Sequence, residues 1–355
     1  MERAWTRRLM ACAAAFGAAV LLAGLPAAAT AASDNVYTVT NLVSDVSGVA
    51  ANTDSNLVNA WGLTSTAGSP WWVSDNGMDA STIYRANGMT ARPSVPVSSA
   101  PTGAVSNTGS SFMITNGTTS APATFLFATE NGTILGFSSA VSSTGTFLAA
   151  TTPGAVYKGL AIAGDRLYAT DFHHGRVDVF DGSFQPVDTA GAFVDPAIPA
   201  GYAPFGIQNV NGTIVVTYAK QDADQHDDVA GQGHGFVDMF STTGTLLGRV
   251  ATHGQLNSPW GIAMAPGNFG RFGGDLLIGN FGDGQISAFQ PQTDGSFELV
   301  GQLRTSSHKV LAIDGLWALQ FGKGAVTNNG PTNTLFFTAG PDGEQHGLFG
   351  TITAG

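Results

Sequence analysis

The sequence has one cysteine, Cys12, and little charge: 14 basic and 25 acidic side chains make up 11% of its 355 residues and give a net charge of -11. A single cysteine excludes an intramolecular disulfide and a multi-cysteine metal site. The shortage of basic residues argues against nucleic acid and anionic membrane surfaces as partners. The fold must therefore be held together by its buried core, which a chain of this length can supply.

Known catalytic motifs and helical periodicity are also missing. The sequence contains no G-x-S-x-G nucleophile elbow, no H-E-x-x-H zinc motif and no G-x-x-x-x-G-K-[ST] phosphate loop. After the N-terminal region, no segment has helical periodicity, and none is apolar over the length that a membrane-spanning helix needs. The 47 glycines and 16 prolines instead indicate a protein made of strands and turns.

The N-terminal residues have the pattern of a signal peptide. Arg3, Arg7 and Arg8 precede an apolar run over residues 9–25, and small residues suitable for cleavage follow near residue 30. We predict a signal peptide over residues 1–32 and one domain over residues 33–355, secreted by either the general or the twin-arginine route. Cleavage would remove the cysteine and leave 11 basic and 24 acidic residues.

A short apolar motif centred on glycine recurs six times. Its clearest copy is Ser258-Pro259-Trp260-Gly261-Ile262-Ala263, and successive copies lie 41 to 56 residues apart. A period of about 50 residues is typical of a propeller blade or a solenoid unit. The six anchor glycines of these copies are Gly62, Gly103, Gly159, Gly206, Gly261 and Gly315.

Within each unit, burial declines from one predicted strand to the next. The anchor strand and a second run are continuously apolar, a third run alternates, and a fourth is polar. The sixth unit lacks a fourth run, whereas residues 37–42 form an alternating run that belongs to no unit. We therefore predict an all-β six-bladed β-propeller of four-stranded blades, with the ring closed by the N-terminal strand.

Several motifs carry a family resemblance over the predicted mature chain. They are Asn59-Ala60-Trp61-Gly62, Pro204-Phe205-Gly206-Ile207, the copy at Gly261, and the acidic stretch over residues 218–231. With the signal peptide, they resemble a family of exported bacterial proteins of unknown function, some of which carry PEP-CTERM tails. The resemblance implies a propeller and export but no activity. Because no such tail follows Thr351 here, we expect no membrane anchor.

The units also resemble, more distantly, NHL repeats and the lactonase-type six-bladed propellers. That resemblance implies a calcium ion at the mouth of the central channel. Independently, strand order places one set of loops on a common upper face, which carries 14 of the 24 acidic residues of the predicted mature chain and every histidine. The histidines are His173, His174, His226, His234, His253, His308 and His346.

Two groups of residues on this face are candidate binding sites. The first is the channel mouth, where anchor-strand residues are joined by two loop histidines: Asn59, Lys158, Asn257, Asp314, His173 and His253. The second is a long loop in blade four, over residues 220–235, whose metal-ligating side chains are Asp222, Asp224, His226, Asp227 and Asp228. Calcium is the expected ion, and zinc is the alternative. Structural turn residues and a solvated, disordered loop are the competing interpretations.

Three functions follow from these observations. The favoured one is a monomeric secreted propeller that binds an extracellular or cell-envelope ligand, which is a small molecule, a glycan or a protein. The alternative is a calcium-dependent hydrolase of lactone or ester substrates, in which the ion polarises a carbonyl and a histidine acts as general base. A structural or adhesive role is the third. Whether the protein is an enzyme stays open at this stage.

Overall fold

The computed structural model describes residues 34–355, so the predicted signal peptide lies outside the described residues. The strands are, in chain order, β1 (Tyr37–Ser44), β2 (Asn52–Thr53), β3 (Ala60–Thr64), β4 (Trp71–Asp75), β5 (Ala80–Tyr84), β6 (Thr90–Pro96), β7 (Pro101–Ser106), β8 (Met113–Thr115), β9 (Ser120–Pro122), β10 (Phe125–Thr129), β11 (Thr133–Phe137), β12 (Phe147–Thr151), β13 (Tyr157–Ala163), β14 (Arg166–Asp171), β15 (Arg176–Phe180), β16 (Pro186–Val187), β17 (Tyr202–Val210), β18 (Thr213–Lys220), β19 (Phe236–Phe240), β20 (Leu246–Thr252), β21 (Pro259–Met264), β22 (Leu276–Asn280), β23 (Ile286–Pro291), β24 (Phe297–Gln302), β25 (Leu316–Phe321), β26 (Leu335–Ala339) and β27 (Leu348–Ala354). Two single-turn 3-10 helices, Asn76–Met78 and Gly270–Phe272, are the only helices of this part of the chain, and no helix in it is long and apolar enough to cross a membrane.

The strands form six antiparallel blades, which confirms the predicted propeller. Blades one to five are β3–β6, β7 with β10–β12, β13–β16, β17–β20 and β21–β24, and a small β8–β9 hairpin is inserted in blade two. In blade six, β25, β26, β27 and β1 are antiparallel, with Val39 of β1 opposite Ile352, and the two-residue strand β2 adds a parallel pairing on the outer side of β1. The N-terminal strand β1 therefore closes the ring, as predicted, and covers the edge of β27 that would otherwise be unpaired.

Burial follows the predicted gradient from the channel to the rim. In blade one, all residues of β3 and β4 are buried, whereas only one residue of the outer strand β6 is. Six apolar clusters fill the six blade interfaces. Between blades one and two, for example, the Trp72 ring stacks on Phe125 at 4.4 Å and contacts Phe137 at 4.6 Å. Each blade is thus stabilised mainly by its two neighbours.

The anchor glycines lie where neighbouring inner strands approach closely. A Cβ on Gly206 would lie 2.2 Å from the carbonyl oxygen of Trp260, and one on Gly261 would lie 2.6 Å from that of Trp317. Backbone, rather than a movable side chain, fills the space, so a larger residue does not fit.

One sequence assignment needs correction, because Gly315 is not the anchor of blade six. Strand pairing places Leu316 opposite Ala339, as it places Pro259 opposite Asn280 in blade five. The residue equivalent to Gly261 is therefore Ala318. Gly315 precedes the strand with a φ of +64°, and a Cβ there would lie 2.1 Å from the carbonyl oxygen of Gly340. The anchor of blade six was missed in the sequence because it is an alanine and the repeated motif was recognised by its glycine.

Candidate functional site

Six side chains, one from each inner strand, surround the upper end of the channel. In every blade a β-bulge interrupts the pairing of the first two strands at this point. Bulges of this kind re-aim side chains and are common beside binding sites. The six residues, which we call the mouth ring, are all buried: Trp61, Thr102, Lys158, Phe205, Trp260 and Trp317.

The aromatic members of the mouth ring close the channel. Trp61 stacks on Trp317 with ring centroids 3.6 Å apart, and Trp260 meets both edge-on. Phe281, from the upper loop of blade five, stacks on Trp317 at 4.0 Å. Below them, the channel contains a cavity of about 30 Å³, which is room for a water molecule and no more. A ligand therefore cannot pass through the molecule.

Lys158 is the one charged member of the mouth ring. Its side chain is 1% exposed, contacts Glu130, and lies 3.0 Å from an Asp227 carboxylate oxygen. The ammonium also lies 5.2 Å from the centre of the Trp61 ring, within the range of a cation–π contact. Burial acts to lower the pKa of Lys158, but the charges of Glu130 and Asp227 outweigh it and hold the pKa above its ordinary value. The lysine is therefore a fixed positive charge at the mouth.

The carboxylates around Lys158 come from different blades. Glu130 follows β10 in blade two, and Asp227 belongs to the blade-four loop. Burial acts to raise the pKa of Asp227, but Lys158 outweighs it and the pKa lies below its ordinary value. Glu344 in blade six has its pKa raised to about 7 by burial, although the Asn59 amide and Lys158 act against that rise. Lys158, Glu130, Asp227, Glu344 and Asn59 form what we call the mouth cluster.

Hydrogen bonds of two asparagine side chains connect the mouth cluster with the tryptophans of the mouth ring. The side-chain oxygen of Asn59 accepts hydrogen bonds from the indole N–H groups of Trp61 at 2.9 Å and Trp317 at 3.3 Å. Its amide nitrogen donates to Asn76, whose own amide donates to Glu130 at 3.1 Å. Asn59 adopts a φ of +49°, a left-handed conformation that asparagine tolerates better than most residues other than glycine.

The blade-four loop, residues 221–235, is ordered by its own hydrogen bonds, and its predicted ligands divide into two sets. The Asp222 carboxylate accepts from the backbone N–H of His226 at 2.9 Å and so stabilises a turn within the loop. Asp224 is exposed. Asp228 is half-buried, and burial raises its pKa. His226 and Asp227 lie at the mouth cluster, with His226 Nδ1 3.0 Å from Asp227, and Asp228 is near enough for the charge of Lys158 to act on its pKa.

The remaining predicted mouth residues have other positions. Asn257 is buried and accepts from the Gly231 N–H at 2.6 Å, which anchors the blade-four loop. Asp314 is exposed before β25, where it accepts from the Asp342 N–H at 2.9 Å. His253 packs on Phe236 toward the rim, with ring centroids 4.6 Å apart.

His173, in the β14–β15 turn of blade three, packs edge-on against His174 with ring centroids 5.0 Å apart. The neighbouring Asp171 is buried and accepts from the His174 N–H at 3.2 Å, which is the hydrogen bonding expected of a structural turn residue. The hydrogen bonds of His174 therefore lie within its own turn.

Three residues can be considered together as metal ligands. Glu130, His226 and Asp227 each place one ligand atom within 4.8 Å of the others. Calcium, however, takes about six to eight oxygens. Asp227 and one Glu130 oxygen already contact the Lys158 ammonium, and the other Glu130 oxygen accepts from Asn76. A cation bound here would have to displace Lys158.

Sequence reasoning missed Glu130 and Glu344 as members of a site, since both stand in short turns without a motif. The mouth ring could have been identified from the sequence, because each of its members except Trp317 directly precedes an assigned anchor glycine.

Comparison with solved structures finds the same fold elsewhere. A protein of unknown function from Bacteroides thetaiotaomicron superposes with a TM-score of 0.56 at 9% identity, over 89% of this chain and 76% of that chain. Streptogramin B lyase superposes with a TM-score of 0.51 at 11% identity, over 90% of this chain and 97% of that chain. At these identities the likeness shows the fold alone.

Sequence comparison finds relatives in a virus. Two uncharacterized proteins of Acanthamoeba polyphaga mimivirus are 34% and 31% identical to the chain; each match covers 89% of it, and 80% and 85% of the relatives. No family model matches. These relatives are not bacterial, so they give no support to the resemblance to exported bacterial proteins, and export remains a prediction. The chain belongs to the same family as these uncharacterized mimivirus proteins.

Proposed function

We propose that the protein is a binding protein whose upper channel mouth recognises a small polar ligand that carries positive charge. The observation that supports this proposal is the pairing of the single Lys158 ammonium with two carboxylates from different blades, Glu130 and Asp227, with Glu344 near enough for these charges to act on its pKa. Carboxylates exceed cations in this cluster, so a cationic group completes its charge balance. The predicted signal peptide would place the ligand outside the cell or in the cell envelope.

Features that do not serve stability support a binding role for the mouth. Besides Asn59, Ser258 and Glu344 adopt positive φ values of 47° and 67°. The Ser258 hydroxyl and one Asp228 carboxylate oxygen are buried beside each other, and neither makes a hydrogen bond to a third group. A polar ligand at the mouth would give both groups a further partner.

The blade-four loop would control access to this site. Lys158 is 1% exposed, whereas the Asp227 side chain that covers it is 66% exposed and the His226 side chain 46%. Movement of these two residues away from the mouth would uncover the ammonium and the Glu130 carboxylate. A cationic ligand would then take the place of Lys158 as the partner of Asp227.

The test is calorimetric titration with spermidine, choline and glucosamine, with neutral glucose as the charge control. We expect at least one cation to bind the wild type, and Glu130→Gln and Asp227→Asn to weaken its binding about tenfold or more. Glu298→Gln, on the exposed outer strand of blade five, is the matched control and should bind like the wild type. Absence of binding by all three cations, or unchanged affinity in the mouth variants, would contradict the proposal.

A metal-dependent hydrolase of lactones or esters is the second candidate. The group formed by Glu130, His226 and Asp227 favours it, as does a Glu344 carboxyl with a pKa of about 7, suited to proton transfer. Calcium is the first ion to test and zinc the second. This candidate fails if the purified protein contains no metal, neither ion raises its Tm, and a lactone and ester panel shows no chelator-sensitive turnover.

A further inference from the structure

A cavity of about 260 Å³ opens at the lower end of the channel, on the face opposite the mouth cluster. The ends of inner strands from blades one, two, three, four and six line it. Its polar side chains include Gln208, Gln320, Ser106 and Lys323, and its apolar wall includes Ile162. No acidic residue lines it, although the sequence carries a net charge of -11. The two ends of the channel therefore differ in their chemistry.

Lys323 supplies an unneutralised positive charge to this cavity. Unlike Lys158, it has no carboxylate within ion-pair distance among residues 34–355. Its ammonium donates to the backbone carbonyl of Ser65, which also accepts from the Ser106 hydroxyl at 3.0 Å. The Lys323 side chain is exposed, but the concave surface around it partly desolvates the ammonium and lowers its pKa. An anion bound in the cavity would raise the pKa of Lys323 again.

The position of Lys323 is fixed by a buried asparagine. Asn329 is 0% exposed, and its side-chain oxygen accepts from the backbone N–H groups of Lys323 at 3.2 Å and Ala325 at 3.1 Å. Its amide nitrogen donates to three backbone carbonyls of the blade-one loop, each at 3.1 Å: Thr66, Ala67 and Ser69. This arrangement fastens the Lys323 loop to blade one and so preorganises the lysine at the cavity.

Two glutamines complete the set of donors. The side chains of Gln208 and Gln320 line the cavity, and neither makes a hydrogen bond to another side chain or backbone group within residues 34–355. Both also line the narrow cavity of about 30 Å³ above, which ends below the mouth ring. Their amide groups are therefore available to a molecule that enters from below and can go no further.

We infer that the cavity at the lower end of the channel is a second binding site, for a small organic anion whose carboxylate or phosphate group pairs with Lys323. The two glutamine amides would donate to the same oxyanion or to hydroxyls beside it, and Ile162 would contact the apolar part of the molecule. The volume is below the range of about 300–1,000 Å³ that drug-sized ligands occupy, so the ligand is small. This site is independent of the proposed function of the upper mouth.

Calorimetric titrations with gluconate, citrate, glucose 6-phosphate and inorganic sulfate test the inference, and they separate carboxylate from phosphate sources. Uncharged glucose is the charge control. We expect saturable binding of at least one organic anion, weakening as salt is added. Lys323→Met and Gln208→Leu should each reduce the affinity about tenfold or more. Binding of sulfate alone, or of none of the probes, overturns the inference.

Two controls make the test specific. Lys309→Met removes an exposed lysine of the blade-five connection and should leave anion binding unchanged. Glu130→Gln, in the mouth cluster, should likewise leave it unchanged, so that failure here and failure of the proposed upper site are distinguishable. If Lys323→Met unfolds, as judged by circular dichroism, Gln208→Leu decides. Wild-type affinity in a folded Lys323→Met or in Gln208→Leu overturns the inference.

Discussion

At the scale of single residues, Lys158 supplies the positive charge of the mouth cluster. A buried ammonium is costly unless carboxylates pair with it, and Glu130 and Asp227 do so from two neighbouring blades. The lysine therefore joins three blades through charge. It also keeps acidic groups together at a mouth where they would otherwise repel one another.

Removal of this charge should destabilise the mouth and create affinity for calcium. In Lys158→Met the stem is kept but the Glu130 and Asp227 carboxylates lose their cation, and we expect a loss of about 1–3 kcal/mol of unfolding free energy. Calcium should then raise the Tm of the variant and leave the wild type unchanged, as measured by thermal denaturation with and without chelator. A calcium-induced rise in the wild type would instead favour the metal-dependent hydrolase.

Glu344 should make stability depend on pH in a definite direction. Burial raises its pKa from the ordinary 4.5 to about 7, so the folded protein holds the proton more tightly than the unfolded chain. The stabilisation is fully present below about pH 4.5 and is lost as the pH rises through about 7. Glu344→Gln should flatten this decline, measured by urea denaturation between pH 4 and 8.

The control for that measurement is Glu298→Gln, which should follow the wild-type curve. Asp238, whose pKa burial raises to about 6, titrates in the same range in all three proteins. The difference between curves is therefore the quantity to compare. Parallel curves for Glu344→Gln and the wild type would show that the carboxyl titrates normally.

The sequence was informative about these residues only where they belong to a repeat. Asn59 and Lys158 were identified because they precede anchor glycines, and His226 and Asp227 because their loop is unusually long. Glu130 and Glu344 stand in short turns like many others, and their partners come from other blades. Contacts between blades depend on the angle at which the sheets pack, which local sequence patterns do not report.

At the scale of elements, the inner strand of each blade combines a bulge with a residue of minimal size. The bulge turns one side chain toward the channel mouth, and the small residue beside it lets the next blade approach. The pattern was visible in the sequence for five blades. It failed for blade six because Ala318 replaces glycine there, while Gly315 stands nearby for the separate reason of its positive φ.

Substitution of an anchor glycine should therefore be much more harmful than substitution of a glycine elsewhere. In Gly261→Val the new Cβ would clash with the Trp317 carbonyl oxygen at 2.6 Å, and we expect a loss of about 1–3 kcal/mol or more. Gly145→Val is the control, because nothing lies within 4 Å of a Cβ there. Chemical denaturation measures both, and equal stability of the two variants would contradict close packing at the channel.

At the scale of the whole molecule, the ring depends on one strand pairing. β1 covers the edge of β27, and its residue Tyr37 is 2% exposed within the cluster between blades five and six. No other described contact joins the two ends of the chain as a complete ladder. Closure was predictable because the sixth repeat lacks a fourth strand and residues 37–42 have the alternation to supply it.

Deletion of residues 33–43 should consequently open the ring. The exposed edge of β27 and the uncovered apolar groups beneath β1 would lower the Tm strongly and promote aggregation, as measured by thermal denaturation and light scattering. The control is a chain that begins at residue 33 and keeps β1. An unchanged Tm in the deletion variant would contradict the closure by β1.

The pairing of Val39 with Ile352 also has a consequence for the order of events during synthesis. The first strand made must wait for the last one, so blade six cannot form on a nascent chain, while blades one to five can each assemble as soon as their own strands are complete. An incomplete ring exposes two blade faces and one strand edge for the whole of that time. The apolar surface of blades one to five is therefore open to aggregation until β27 has been synthesised.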